Sequence, residues 1–451
     1  MKRKSTYLIA AFAYLAVCLS GCQSADNSAS KATADNIPVH VEIQESDEGY
    51  QLYINKEPFY IKGAGLEFGS IEELAANGAN SFRTWRTDNG RDSGQEVLDR
   101  AHENGLMVTM GLEIAREREG TGRGYFDFDY NDEVAVAEQL ERVRAEVMQY
   151  KDHPALMIWS IGNELNHGAT NPKVWDAVNE ISEMIHEIDP HHLTTTTLAG
   201  INPNLAAEVK ARAPDLDLVS IQMYADIINL PTYLAEMGWE GPYMVTEWGA
   251  TGHWEVNKTP WDAPIETHSS TKADLYMERY NVAIESQKEL CVGSYVFLWG
   301  QKQERTPTWY GMFLPTGEKT EAVDVMHYAW KGEWPENRSP RLESATLDGK
   351  TAYDGVYLDA GEAYEAAVQS TDPDNDALTY VWEIRAESQA QSEGGDDEYV
   401  PELYNGLIDD PSAATVSVTA PTAPGAYRLF IYIYDGQGHA AHANIPFYVN
   451  A

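Results

Sequence analysis

The sequence predicts a (β/α)8 barrel followed by a small all-β sandwich, and three observations predict it. Short apolar runs alternate with amphipathic helical segments from about Tyr60 to Gly332. Eight such runs can be counted. Near Asn337-Arg338-Ser339-Pro340 the rhythm gives way to period-two alternation broken by turn residues. Strand-plus-helix units repeated over roughly 270 residues have the size of a closed parallel barrel. An open doubly wound sheet uses the same alternation, but it carries a Gly-rich phosphate loop after its first strand, and none follows here.

The elements justify themselves in order. "YIKGAGLE" (Tyr60 to Glu67) leads into the helix-like "SIEELAANG", and "NSFRTWR" (Asn80 to Arg86) into "GQEVLDRAHENG". "LMVTMGLEI" (Leu106 to Ile114) precedes the longer "DEVAVAEQLERVRAEVMQY". The fourth run, "ALMIWSIGNEL" (Ala155 to Leu165), is fit only for a strand covered on both faces. After it come "LTTTTLAG" (Leu193 to Gly200), "LDLVSIQMY" (Leu216 to Tyr224), "PYMVTEWGA" (Pro242 to Ala250) and "CVGSYVFLW" (Cys291 to Trp299). Beyond residue 337, "AYEAAVQSTD", "LTYVWEIRAE", "TVSVTAP" and "YRLFIYIYDGQGHAAHANIPFYVN" read as strands of an immunoglobulin-type sandwich. Asp372, Asp374 and Asp376 have the spacing of a calcium loop, but Ala377 stands where such a loop demands Gly. A polar turn is the expectation there.

Lys2, Arg3 and Lys4 precede an apolar run from Tyr7 to Val17 that is short for a spanning helix, and Leu19-Ser20-Gly21-Cys22 follows. The four residues resemble a bacterial lipobox, which implies cleavage before Cys22 and lipidation of its thiol. Gln23 after the cysteine resembles the pattern of lipoproteins sent to the outer membrane. The expected organisation is a leader over 1–21, a flexible tether over 22–38, the barrel over 39–336 and the sandwich over 337–451. Of three cysteines, Cys18 lies in the leader and Cys22 at the anchor, so Cys291 has no partner for an internal disulfide. Stability must then come from an extensive apolar core. With 32 basic and 71 acidic residues the formal charge is −39, which argues against nucleic acid and anionic polymers as partners and favours solubility.

In a parallel barrel the C-terminal strand ends converge on one mouth, where chemistry collects. Glu164 ends the fourth predicted strand and Glu247 the seventh, so the two carboxylates face one mouth. Glycosidic bond cleavage needs such a pair: one protonates the leaving oxygen while the other attacks C1 or activates water. One must begin protonated and the other ionised. Asn163 is placed to donate to a sugar hydroxyl, while Arg83 and Tyr224, on the second and sixth strands, are placed to bond Glu247. His191-His192 precede the fifth strand, at the far end from the mouth, and are expected to be structural. No His/Cys cluster has ligand spacing, and neither metal nor organic cofactor is expected.

"WSIGNELN" and "VTEWG" resemble the acid/base and nucleophile signatures of clan A retaining glycoside hydrolases. "YINKEPFYIKGAG" (Tyr53 to Gly65) and "NSFRTWR" are similar to the first two strands of glycoside hydrolase family 2 barrels and of β-1,3-glucanosyltransferases. The resemblance spans Tyr53 to Trp330. It implies Glu164 as acid/base, Glu247 as nucleophile, Arg83, Asn163 and Tyr224 as supporting residues, and Trp299 as the aromatic floor under a sugar ring. "GAGLEF" departs from the family 2 sequence after the first strand, and the chain has no room for the jelly roll and sandwich that usually precede that barrel. "DPDNDALTYVWEI" resembles cadherin-like and polycystic-kidney-disease-type repeats.

Trp248, Trp254 and Trp261 in or after the seventh-strand loop, and Trp309-Tyr310 after the eighth, suggest several aromatic subsites along a chain substrate. The expected function is a lipid-anchored retaining β-glycosidase or transglycosidase acting on a β-linked oligo- or polysaccharide, with β-glucan favoured. The alternative is a surface glycan-binding lipoprotein without activity.

Overall fold

The computed structural model describes residues 37–116, 128–391 and 397–450. The expected leader, Cys22 and most of the expected tether lie outside the described residues. Ile37 to Ala451 cluster as one compact unit.

Three antiparallel strands come first: β1 (Val41–Ser46), β2 (Gly49–Ile54) and β3 (Glu57–Phe59). They close the underside of the barrel, where Val41 N–H donates to His191 O and Tyr50 N–H to Glu289 O. Val41 and Leu52 share an apolar cluster there with Ile61, Ile158, Leu218 and Val292. A sheet that seals the bottom leaves the upper mouth as the open end.

The barrel strands are β4 (Ile61–Gly65), β5 (Ser81–Arg83), β6 (Met107–Leu112), β7 (Leu156–Asn163), β8 (Leu193–Ala199), β9 (Leu218–Gln222), β10 (Tyr243–Glu247) and β11 (Cys291–Val296). All pair in parallel, and β11 pairs back to β4, so the eight close on themselves. Each observed strand falls within a run predicted from sequence. The barrel lumen below the mouth is partly polar. Tyr295 OH meets Ser81 Oγ at 2.9 Å and Thr109 Oγ1 at 2.6 Å, and Thr195 Oγ1 meets Ser220 Oγ at 2.8 Å. A Cβ on Gly63 would sit 2.5 Å from the Tyr295 ring, so this side chain fills the lumen only because β4 has no side chain there.

The helices follow the strands: α1 (Ile71–Ala76), α2 (Gly94–Glu103), α3 (Glu133–Tyr150), α4 (Lys173–Ile188), α5 (Pro203–Arg212), α6 (Leu230–Glu236), α7 (Ser269–Ala283) and α8 (Glu321–Lys331). Their starts are written in the sequence. Ser93 and Glu96 form a reciprocal capping box on α2, Asp132 caps α3, and Asn202 with Pro203 opens α5. The stripe of Val174, Val178, Ile181 and Ile185 turns α4 onto the strands.

The C-terminal runs form two sheets. One joins β12 (Lys319–Thr320), β14 (Val356–Asp359), β16 (Thr379–Ala386), β17 (Leu403–Tyr404), β20 (Gly425–Tyr434) and β21 (His439–Asn450); the other joins β13 (Arg341–Leu347), β15 (Ala363–Thr371), β18 (Ile408–Asp409) and β19 (Thr415–Thr419). A common core of Leu342, Val356, Trp382, Ile384, Val418, Ile431 and Phe447 lies between them. The sheets are tied into the barrel. β12 lies just before α8 yet pairs in parallel with β21. In the loop before α7, buried Glu266 accepts from Lys272 Nζ at 2.5 Å, Thr306 Oγ1 at 2.6 Å and Asn444 Nδ2 of β21 at 2.5 Å. Burial works to raise the Glu266 pKa, but the Lys272 ammonium and the donors outweigh it and hold the carboxyl down at about 2. Glu321 and Asp324 on α8 show the opposite balance: burial pushes both up to about 7, with Arg341 opposing at Glu321 and the Ser339 backbone at Asp324.

Candidate active site

The strand ends deliver the predicted carboxylates to the mouth. β10 ends on Glu247, which is 6 % exposed, so a charge stands where only bonded groups are tolerated. Four side chains satisfy it. Arg83 Nη1 donates to Oε1 at 3.1 Å, Trp85 Nε1 at 2.8 Å and Gln222 Nε2 at 3.1 Å, while Tyr224 OH donates to Oε2 at 2.9 Å. Glu247 accepts every one of these bonds, which is the pattern of a carboxylate. Burial and the adjoining Glu247 push the Tyr224 hydroxyl well above its ordinary range, so it remains a donor.

Asn163 closes the same network from the opposite strand. Its Oδ1 accepts from Arg83 Nη2 at 2.9 Å, Gln222 Nε2 at 2.9 Å and Thr197 Oγ1 at 3.3 Å. Three donors on the oxygen fix the amide's orientation. Arg83, 1 % exposed, thereby spans the mouth between β7 and β10.

Glu164 follows in a turned backbone. Gly162 has φ +71° and Glu164 itself +53°, a left-handed conformation that costs a residue with a side chain roughly 1–3 kcal/mol and that collects at functional sites. The Glu164 side chain is about a quarter exposed, with Arg116 Nη1 3.9 Å from its Oε2. One carboxylate is therefore clamped and nearly dry, and the other is reachable.

The aromatic expectations divide. Trp248 is a correction: it is fully buried outside the barrel wall against Tyr276 and Tyr280, at 5.8 and 6.0 Å between ring centres. It adjoins the inward Glu247, and strand alternation turns it outward. Trp299 is a second correction. It is also fully buried, donates through Nε1 to Ser70 O at 3.0 Å, and packs against Phe313 and Trp330, so no sugar ring reaches it. Phe297 stands at the mouth instead, edge-on to Trp85, Tyr224 and Tyr310 at 5.8–5.9 Å. Trp254 is 57 % exposed and meets Tyr224 edge-on at 5.4 Å, which makes it the exposed aromatic of its loop. Trp261 packs on Tyr357 and Tyr448 of the C-terminal sheet, and Trp309 and Tyr310 are buried beneath the mouth.

Sequence reasoning missed Trp85 and Gln222. Both carried a signal: each lies two residues from a predicted site residue, on the same face of the chain. His192 bonds buried Asp189 at 2.9 Å and His191 O holds β1, both at the closed end, as a structural role requires. In the C-terminal sheets, ligand atoms of Asp372, Asp376 and Asp435 lie within 4.8 Å of one another, whereas Asp374 accepts from Arg338 N–H instead. The lone Cys291 is buried, and burial pushes its thiol up to about 12, which removes it as a nucleophile.

A parallel barrel whose fourth and seventh strands end in Asn-Glu and Glu, bridged by an arginine, is the arrangement the sequence resemblance implied. Residues 70–289 match the family model described as Glycosyl hydrolases family 2, TIM barrel domain, and the chain resembles the catalytic barrel of that family. Over 86 residues it is 34 % identical to "Probable mannan endo-1,4-beta-mannosidase C" of Aspergillus terreus, covering 16 % of this chain and 21 % of that protein. Among solved structures it is similar to a β-glucuronidase of Parabacteroides merdae, with 14 % identity, TM-score 0.45, 91 % of this chain and 51 % of that chain covered. A family 5 mannosidase of Rhizomucor miehei is also similar, with 14 % identity, TM-score 0.44, 63 % of this chain and 96 % of that chain covered. The chain thus spans about a fifth of the curated relative and half of the glucuronidase.

Proposed function

We propose that the chain is a retaining β-glycoside hydrolase or transglycosidase that acts on a β-linked oligo- or polysaccharide through a glycosyl-enzyme intermediate. The observation that carries this is the clamped Glu247 beside the reachable Glu164, with Asn163 locked between them. Glu164 gives its proton to the leaving oxygen as Glu247 Oε2 attacks C1 and the glycosidic bond breaks. Water, or a sugar hydroxyl, then loses its proton to Glu164 and attacks C1, and the ester to Glu247 breaks. Oε1 is filled by three donors and Oε2 by one, so Oε2 is the attacking oxygen and Tyr224 is the group that must yield to the ester.

Both carboxylates and their supporting donors are this chain's own, and the reading needs no cofactor. β-Glucan, favoured from the sequence, now stands beside β-1,4-mannan, since the relative that matches over 86 residues is named a mannan endo-1,4-β-mannosidase. The C-terminal residues are proposed as an immunoglobulin-like sandwich from about residue 337. The leader and Cys22 support export and anchoring to a bacterial envelope membrane, with the outer membrane favoured. Incorporation of labelled palmitate, lost in Cys22→Ala, tests that.

The activity is tested by incubating the chain with β-glucans, mannans, xylans and galactans beside Glu164→Gln and Glu247→Gln, following anomers by NMR. Early β-anomers or lengthened chains, lost in both variants, are expected. Glu164→Gln should still release an activated aryl leaving group, which needs no proton, while Glu247→Gln should not. Saturable binding with no turnover on any substrate would replace this reading with the glycan-binding one, and early α-anomers would replace retention with inversion.

A further inference from the structure

The C-terminal sheets hold a cleft of about 350 Å³ that the barrel chemistry does not use. It opens where the pairing of β16 stops. Ile384 and Arg385 pair with Tyr404 and Leu403, Ala386 N–H donates to Glu402 O at 2.9 Å, and β17 goes no further. Backbone groups facing β17 alternate along β16, so those of Trp382 and Tyr380 face the cleft beyond the last pair. The chain then crosses from β17 to β18 in the other sheet, and the connection from Asn405 to Ser412 forms the opposite wall.

We propose that this cleft is a second saccharide site, for a neutral sugar chain of the kind the barrel acts on; the proposal rests on the reading of the barrel given above. Its size is at the lower end of small-ligand sites. The lining combines what a pyranose presents in reverse. Tyr380 and Tyr404 offer ring surface to apolar C–H faces. Tyr404 is held edge-on to Tyr427 at 5.3 Å and is therefore already oriented. The exposed Asn405 amide and the Glu383 carboxylate offer donors and an acceptor for hydroxyls, and Glu383 is itself anchored by Arg385 at 2.9 Å. Exposed Asp409 and Asp410 stand in sequence between the lining residues Ile408 and Pro411, and their charge disfavours uronic acids and other anions. An exposed strand edge alone would suit an extended peptide; the rings and amide beside it favour a sugar. Because β12 and the Glu266 cluster fix these sheets to the barrel, a chain bound here is held at a constant position relative to the mouth.

The experiment titrates the full chain carrying Glu247→Gln, which stops turnover, with mannohexaose and with cellohexaose in a calorimeter. It is repeated with Tyr404→Ala or Asn405→Ala added. Two binding events are expected with at least one sugar, and the second should weaken about tenfold or more in each added variant. Asn405 is exposed and makes no hydrogen bond in the fold, so that variant keeps the test open if Tyr404→Ala unfolds. Binding that neither Tyr404→Ala nor Asn405→Ala weakens, whether one event or two, overturns the cleft. Turnover of the same sugars by the unsubstituted chain reports on the barrel separately: turnover without a cleft event refutes the cleft alone, and a cleft event without turnover of any glycan refutes the barrel reading alone.

Discussion

Replacing Asn163 with Asp isolates the hydrogen bond to a substrate hydroxyl that follows from the proposed function. In the structure Oδ1 accepts from Arg83, Gln222 and Thr197 at 2.9, 2.9 and 3.3 Å. An aspartate of the same shape keeps those three bonds and removes only the outward N–H donor, although it adds a negative charge between Glu164 and Glu247. A double cycle separates the two effects. kcat/KM is measured for both proteins on an aryl β-glycoside and on its 2-deoxy analogue. The added charge acts on both substrates, whereas the lost donor acts only on the one with a 2-hydroxyl. A donor that tightens in the transition state contributes about 2–3 kcal/mol, so the variant should lose roughly 30- to 150-fold more on the hydroxylated substrate than on the deoxy one. Equal losses on both would show that the Asn163 amide does not touch the 2-position, and the site geometry would have to be redrawn.

Tyr224→Phe removes the single donor on Glu247 Oε2 but keeps the ring contacts with Trp254, Phe297 and Tyr310, so kcat should fall about 10- to 100-fold. Trp85→Phe takes one of three donors from Oε1, and its loss in kcat should be smaller than that of Tyr224→Phe; a larger one would refute the assignment of Oε2 as the attacking atom. Lys272→Met strands the buried Glu266 carboxylate and should cost about 3–5 kcal/mol in denaturant unfolding, while Met in place of Lys288, in its exposed pair with Glu285, should cost less than about 1. Two opposed pH effects follow from the seam between barrel and sheets. Glu266 has a folded pKa lowered to about 2, so its stabilisation is present above about 4.5 and lost as pH falls through about 2. Glu321 and Asp324 have folded pKa values raised to about 7, so their contribution is present at low pH and lost as pH rises through about 7. Melting curves of Glu321→Gln with Asp324→Asn should therefore lose the decline that the parent shows from about pH 4 to 7.

The barrel and its two carboxylates were legible because each contradicts its surroundings. A run as apolar as Leu156 to Ile161 has no reason to end on Asn163-Glu164, and Met244-Val245-Thr246 none to end on Glu247, unless the strand end does chemistry. Which aromatics line the site was less legible, and strand parity says why. Successive side chains on a strand point to opposite faces. Arg83 and Trp85 share parity, as do Gln222 and Tyr224, and all four bond Glu247. Trp248 has the wrong parity to Glu247, and the structure puts it outside the wall. Parity was available from the sequence and would have exchanged Trp248 for Trp85. It could not have settled Trp299. That residue shares parity with Tyr295, whose hydroxyl lies inside the barrel, and with Phe297 at the mouth, yet it faces α8. β11 has ended at Val296, and the chain is bending toward Gly65, whose carbonyl takes the Trp299 N–H at 2.9 Å. Beyond a strand end the alternation has no backbone ladder to enforce it. Direction there is set by what the loop packs against, in this case Phe313 and Trp330, and those contacts join residues far apart in sequence.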